Sequence, residues 1–203
     1  MITRRMVTLA VPVLIIAIIA LVVVLAPQEK TLGPGIKSVY VHVAFTWTGM
    51  LGLTLTGLLG VGALVTGRPR IQRWGQTLGW VAIALFATGL ALSMLAAQIN
   101  WGGIFWSEPR TTMALQIVSM ALIVQILNSW IQPVRVKGVL HILAALFMTW
   151  RIMTTELILH PQSPILNSDS ISIQLTFATL FLLVVTAAGW LVWRFLPRRR
   201  TAD

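Results

Sequence analysis

Residues 75–98 have the sequence GQTLGWVAIALFATGLALSMLAAQ, twenty-four consecutive positions without a charged side chain. An α-helix needs about 20 apolar residues to cross the roughly 30 Å of hydrocarbon in a bilayer. The stretch lacks the alternation of apolar and polar residues that is typical of a membrane β-strand. It therefore predicts a membrane-spanning helix.

Five further apolar runs of similar length flank this stretch. The six predicted helices cover approximately residues 7–26, 38–65, 75–98, 111–131, 138–158 and 171–195. Their connections are short, and nothing in them is long enough to form a soluble domain. The sequence thus predicts an all-α integral membrane protein, with one six-helix transmembrane domain over residues 1–203.

The composition agrees with a membrane protein. Of the 203 residues, 57% are hydrophobic and only 10% are charged, against about 25% charged in an average soluble domain. The mean hydropathy is +0.87. The chain has no cysteine, which excludes disulfides, thiolate metal sites, iron–sulfur clusters and covalent CxxCH haem attachment within it.

The first apolar run follows Arg4 and Arg5, as the core of a secretory signal would. The run covers positions 7–26, which is longer than the 7–15 residues that are usual for the core of a signal peptide. No convincing cleavage motif follows it. We therefore expect an uncleaved first helix.

The net charge of +10 predicts the orientation of the bundle, because cytoplasmic loops of membrane proteins are enriched in Lys and Arg. With both termini inside, the outer loops carry three basic residues, Lys30, Lys37 and Arg110. The inner segments then carry eleven, which are Arg4, Arg5, Arg68, Arg70, Arg73, Arg135, Lys137, Arg194, Arg198, Arg199 and Arg200. We therefore expect an N-in, C-in topology. We expect no nucleic-acid partner, since no basic groove with interleaved aromatic residues is present.

Three histidines are candidate metal ligands. On the predicted topology, His42 and His160 lie near the outer face on separate helices, whereas His141 lies near the inner face without a partner at its depth. The iron of a planar macrocycle takes two opposed neutral imidazoles as axial ligands, which His42 and His160 could supply. A hydrogen-bonded interfacial side chain is the alternative for each, and we expect a structural or interfacial role for His141.

A predicted outer loop, residues 99–112, carries three large rings: Trp101, Phe105 and Trp106. Aromatic side chains are common at the membrane surface because they are amphipathic. Three rings beside Gly102, which adds no side-chain bulk, would also form a flat apolar surface for a flat apolar ligand.

The end of this loop predicts the start of a helix. Ser107 is a candidate N-cap, Pro109 suits a first helical turn, and the backbone N–H groups that follow, with Arg110, could bind an anion. Arg110 could instead pair with Glu108 or contact a lipid phosphate.

Arg151 lies inside the fifth predicted helix, where an arginine is costly and is a functional candidate by default. Glu156 is five residues further on, about 140° around a helix, so we expect no clean ion pair between them. Glu156 could orient His160, although Pro161 moves that histidine out of regular helix.

Three separated segments resemble the CcmC-type haem-handling proteins of cytochrome c maturation, also called the WWD-domain family. They are KSVYVHVAFTW at 37–47, WGGIFWSEPRTT at 101–112 and LHPQSP at 159–164. The family has a YVHVP-like segment, a WGxWWxWDxRLT loop and a TLHP-like segment in the same order, on six spans. The chain differs where Ala44 replaces the proline, and where Ile104, Phe105 and Ser107 stand at tryptophan positions.

The resemblance implies a haem b site at the outer face. It makes His42 and His160 the axial ligands of the haem iron, and haem b would be held without a covalent bond. The other implied haem-binding residues are Trp101, Gly102, Phe105, Trp106, Glu108, Arg110 and Thr112.

The resemblance also implies partners and a location. The partners are a membrane-anchored CcmE-like haem chaperone, CcmA/CcmB-like ABC subunits and a CcmD-like single-span subunit. The location is the bacterial inner membrane, with the haem site on the periplasmic side.

No catalytic residue is predicted, because the few carboxylates form no recognised catalytic motif and no hydrolase or nucleotide-binding motif is present. We therefore expect a protein that is not an enzyme. Two other classes stay open, a membrane-anchor cytochrome b subunit for electron transfer and a small-molecule transporter.

Overall fold

Backbone polar groups within hydrocarbon must be hydrogen-bonded inside the protein, and a long apolar segment satisfies its own groups as a helix. The computed structural model describes residues 2–156, 165 and 168–197, with side chains from residue 10 onward. The described residues form six α-helices, which are α1 (Ile2–Leu25), α2 (Ile36–Thr66), α3 (Pro69–Trp101), α4 (Pro109–Trp130), α5 (Val134–Thr154) and α6 (Ile171–Phe195).

Five of these helices, α2 to α6, are long and apolar enough to cross a membrane. The apolar part of α1 whose side chains are described, Ala10–Leu25, is shorter than a full span. The predicted helical membrane bundle is thus confirmed, while the sixth crossing and the orientation stay predictions.

Most helices extend beyond the apolar runs that predicted them, because helical hydrogen bonding continues into the polar interface. Helix α3 begins at Pro69, six residues before the predicted start, with Arg68 as its N-cap. Helix α5 differs most from the prediction at its C-terminal end. It stops at Thr154 instead of 158, since Thr155 is extended (φ −88°, ψ 122°).

Helices α2 and α3 form a tightly packed antiparallel pair at the centre of the bundle. A Cβ atom added to Gly49 would lie 2.6 Å from the Cβ of Phe86, and one added to Gly52 would lie 2.6 Å from the Cβ of Ala82. The glycine-rich face of α2 therefore brings the two backbones into contact, as small residues do between membrane helices.

The other helices pack on two sides of this pair. Helices α4 and α5 pack on one side, around a core that includes Phe86, Ile117 and Met148. Helices α1 and α6 pack on the other, around a core that includes Tyr40 and Phe177.

The antiparallel order of α2 to α5 gives the bundle two distinct ends. The loop end holds residues 26–35 and 102–108, and the turn end holds the short connections 67–68 and 131–133. At the loop end, the Glu29 carboxylate accepts hydrogen bonds from the N–H groups of Leu32 and Thr31 (2.8 and 2.7 Å). Both bonds stabilise the ionised carboxylate and so lower the pKa of Glu29, and the bond from Leu32 has the larger effect.

Candidate functional site

His42 lies in the second turn of α2, near the loop end, and its side chain is half-buried. Its carbonyl accepts a hydrogen bond from the Thr46 hydroxyl (2.8 Å), and Thr46 packs directly against Gly89 of α3. Because α2 and α3 are antiparallel, His42 is level with a residue about one turn beyond Gly89, close to Ser93. It therefore lies about two helical turns below the end of α3, in the half of the bundle next to the loop end.

The connection between α3 and α4 covers residues 102–108, which is shorter than the predicted loop of 99–112. Gly102 ends α3 in the left-handed conformation (φ 73°), and its N–H donates to the Gln98 carbonyl. Glycine adopts this conformation without steric cost, which explains its place at the helix end.

The large side chains around this connection are exposed. The exposed fractions are 46% for Trp101, 42% for Phe105 and 62% for Trp106. Apart from its chain neighbours, no described residue has an atom within 4 Å of the position that a Cβ of Gly103 would take. Exposed rings beside open space suit both a membrane–water interface and a flat apolar ligand.

The first turn of α4 differs from the sequence prediction, because Glu108 and not Ser107 is the N-cap. Pro109 occupies the first helical position and disfavours helical geometry in the residue before it, which makes Glu108 extended (φ −61°, ψ 124°). The N–H groups of Thr111 and Thr112 both donate to the Glu108 carbonyl. These two N–H groups are therefore not available to bind an anion, contrary to the prediction. An anion at this helix end depends more on cationic side chains.

Glu108 is 6% exposed, whereas Arg110 is half-buried in the same turn. Glu108, Arg110 and Thr112 are thus together on the first turn of α4, as the sequence predicts for neighbours on one helix.

An open cleft of about 330 Å³ separates the first turn of α4 from the C-terminal end of α5. Its described lining residues are Pro109, Thr112, Arg151, Thr154, Thr155 and Glu156. The cleft brings Arg151, which the sequence leaves without a partner, next to Thr112 of the predicted haem-binding set. Because α5 ends before Glu156, this carboxylate reaches the cleft from outside the helix.

The second predicted axial ligand, His160, lies outside the described residues. Among the residues that the structure describes, no three His, Cys, Asp or Glu side chains come together as a metal site. Haem iron takes at most two axial ligands from the protein, so a haem site is a different arrangement from such a cluster.

Four buried polar residues toward the turn end, called the buried polar cluster below, were not predicted from the sequence. Its members are Gln72 of α3 (6% exposed), Gln125 and Asn128 of α4 (2% and 1%) and His141 of α5 (1%). Seven of their side-chain N and O atoms form no hydrogen bond with any described residue. His141 packs against α3, since its Nδ1 atom would lie 3.2 Å from a Cβ atom on Gly75. It is therefore buried between helices and not at the membrane surface.

A sequence signal for this cluster exists in the spacing of its residues. Gln125 and Asn128 are three residues apart on one helix face, and Gln72 and Gln76 are four apart on another. The Gln76 side-chain amide donates to the Gln125 carbonyl across the helices (3.2 Å). Polar pairs at helical spacing in two apolar helices thus indicate that the two polar faces meet.

Comparison of the chain with protein-family models, with curated proteins and with solved structures finds no match in any of the three.

Proposed function

We propose that this chain is a haem-handling membrane protein of cytochrome c biogenesis. It holds haem b as cargo at the loop end, through His42 and His160, and delivers it to a membrane-anchored haem chaperone. The observation that carries the proposal is the ordered set of three segments around His42, the tryptophan-rich loop and His160. The position of His42 near the loop end, on the helix packed beside α3, is compatible with it.

Each residue of the proposed site has a defined task. The two imidazoles bind the iron from opposite sides, and Trp101, Phe105 and Trp106 contact the apolar edge of the macrocycle. Gly102 keeps that side of the ring free of bulk. Arg110 and Thr112 face the carboxylates, and Glu108 is the N-cap of the helix that carries them.

This site holds and releases a ligand and needs no bond-making residue, so we propose that the protein is not an enzyme. The loop end faces the periplasm of the bacterial inner membrane, with six crossings and both termini in the cytoplasm. There it meets the CcmE-like chaperone, while CcmA/CcmB-like ABC subunits and a CcmD-like subunit complete the assembly.

An electron-transfer cytochrome b subunit is the alternative with the most similar chemistry. A second haem at the opposite depth of the bundle would need His141 as a ligand. The side chain of His141 is 1% exposed and lies against the glycines of α2 and α3. A macrocycle does not fit between these helices, which favours the haem-handling function.

Transfer of haem to an acceptor distinguishes the two functions. The purified protein, loaded with haem, is mixed with a haem-free, membrane-anchored CcmE-like chaperone, and the absorbance spectrum of the separated chaperone is recorded. We expect the chaperone to acquire haem, and to acquire less from a Phe105→Ala/Trp106→Ala double variant. Haem that stays on the protein while it is reduced and oxidised reversibly would contradict the proposal and favour electron transfer.

A further inference from the structure

Arg151 is a half-buried cation in the last turn of α5 to which the proposed function assigns no task. Its guanidinium carbon lies 5.4 Å from the centroid of the Trp150 ring. Its Nε atom is buried and has no hydrogen-bond partner among the described residues. The side chain is thus packed in place by an aromatic neighbour while part of its hydrogen-bonding capacity is unused.

An arginine in a membrane-spanning helix is costly and normally faces a partner or a polar cavity. A side chain that extended along the helix into the aqueous interface would expose its guanidinium nitrogens. The Nε atom of Arg151 is buried, so water at the interface does not satisfy this donor. The side chain therefore keeps hydrogen-bonding capacity for a ligand that comes to it.

The cleft of about 330 Å³ between α4 and α5 gives such a ligand a place. The hydroxyls of Thr154 and Thr155 donate to carbonyls of their own helix, those of Trp150 and Arg151 (2.9 and 2.6 Å). Among the described lining residues, Arg151 and Thr112 are then the side chains with donors to offer.

The electrostatics of the cleft favour an anion of low charge. The first turn of α4 borders it, and the N-terminal end of a helix carries a partial positive charge. The Glu156 carboxylate also lines the cleft and repels a second negative charge. A carboxylate presents two oxygens to a guanidinium, and the ligand proposed for this end of the bundle carries carboxylates.

The size of the cleft indicates how much of the ligand it holds. Its volume is at the low end of the range for small-molecule sites, about 300–1,000 Å³. It accommodates the flexible carboxylate arm of a ligand whose rigid body lies outside, beside the loop.

We infer that Arg151 and Thr112 bind a propionate carboxylate of haem in this cleft, and that Glu156 opposes this binding. The inference rests on the proposed function, since haem is the ligand. It extends the predicted haem-binding set from α4 to the end of α5.

The test is a haem titration of the full chain in phosphatidylcholine nanodiscs, followed by the Soret absorbance. Arg151→Gln is compared with Arg135→Gln, which removes an arginine from the opposite end of the same helix. We expect Arg151→Gln to raise the Kd for haem about tenfold or more, the effect of losing one charge-assisted hydrogen bond. Arg135→Gln leaves the Kd unchanged, and Arg151→Lys restores part of the affinity.

Two further measurements identify the group that Arg151 contacts. Haem dimethyl ester, which has no free carboxylate, is expected to bind the wild type and Arg151→Gln with equal Kd. Glu156→Gln is expected to lower the Kd for haem, since it removes the opposing charge. An increase in affinity cannot arise from a variant that merely fails to fold.

The outcomes separate this inference from the proposed function. If Arg151→Gln binds haem as the wild type does, with the same His42-dependent spectrum, the inference is wrong and the proposed function stands. A wild type that binds no haem overturns both. If Arg151→Gln, in nanodiscs that also contain phosphatidylglycerol, binds less of this lipid while its Kd for haem is unchanged, the cleft holds a lipid phosphate and the inference is wrong.

Discussion

At Gly49 a single hydrogen atom in place of a side chain sets the distance between two helices. A Cβ atom there would lie 2.6 Å from the Cβ of Phe86 and 2.7 Å from its Cα and N atoms. Two of these three atoms belong to the backbone of α3, so no side-chain rotation can relieve the clash. By contrast, a Cβ atom added to Gly189 of α6 would have no atom of another described helix within 4 Å.

We therefore predict opposite effects for the same substitution at the two glycines. Gly49→Ala is expected to destabilise the protein by about 1–3 kcal/mol, the usual cost of overpacking a core. Gly189→Ala is expected to be neutral or stabilising by up to about 1 kcal/mol, because alanine is the better helix former. Thermal unfolding in detergent measures both, and equal midpoints for the two variants would contradict the packing described for α2 and α3.

Single residues also show what the sequence could and could not predict about the site. His42, Arg110 and the loop aromatics could be named because each stands at a fixed place in a local motif. The proximity of Arg151 to Thr112 depends on how α4 packs against α5, which the pattern of one helix does not contain. The contact of His141 with Gly75 could not be predicted either, because it depends on how α5 packs against α3.

At the scale of helices, the presence of each element could be predicted and its ends could not. The length of an apolar run can be counted in the sequence and predicts a helix. The residue at which the helix ends depends on its capping interactions, which the count does not contain. By residue type, Ser107 and Glu108 could each be the N-cap of α4. The Glu108 N–H donates to the Phe105 carbonyl in a turn, and this turn favours Glu108 as the N-cap. At α5, the extended backbone of Thr155 ends the helix within an otherwise apolar segment and leaves the cleft open.

At the scale of the whole molecule, the proposed function requires the loop end to face the periplasm. The asymmetry of Lys and Arg predicts this orientation. The chain has no cysteine, so an introduced cysteine is the only thiol that a reagent can label.

We predict that Ser107→Cys reacts with a membrane-impermeant maleimide in intact spheroplasts. Gln132→Cys, in the connection at the turn end, is expected to react only after the membrane is permeabilised. Both positions are exposed, so a difference in labelling reports the side of the membrane. If only Gln132→Cys is labelled in intact spheroplasts, the topology is the opposite of the predicted one. The loop end would then face the cytoplasm, which contradicts the proposed function.

If haem is held between His42 and His160 at the loop end, both imidazoles determine the absorbance spectrum of the purified protein. The wild type, made with haem available, is compared with His42→Ala, His160→Ala and, as a control, His141→Leu. We expect a low-spin bis-imidazole spectrum for the wild type and His141→Leu. We expect loss of haem or conversion to high spin in both alanine variants. Haem bound with an unchanged spectrum in both alanine variants would show that His42 and His160 are not the ligands.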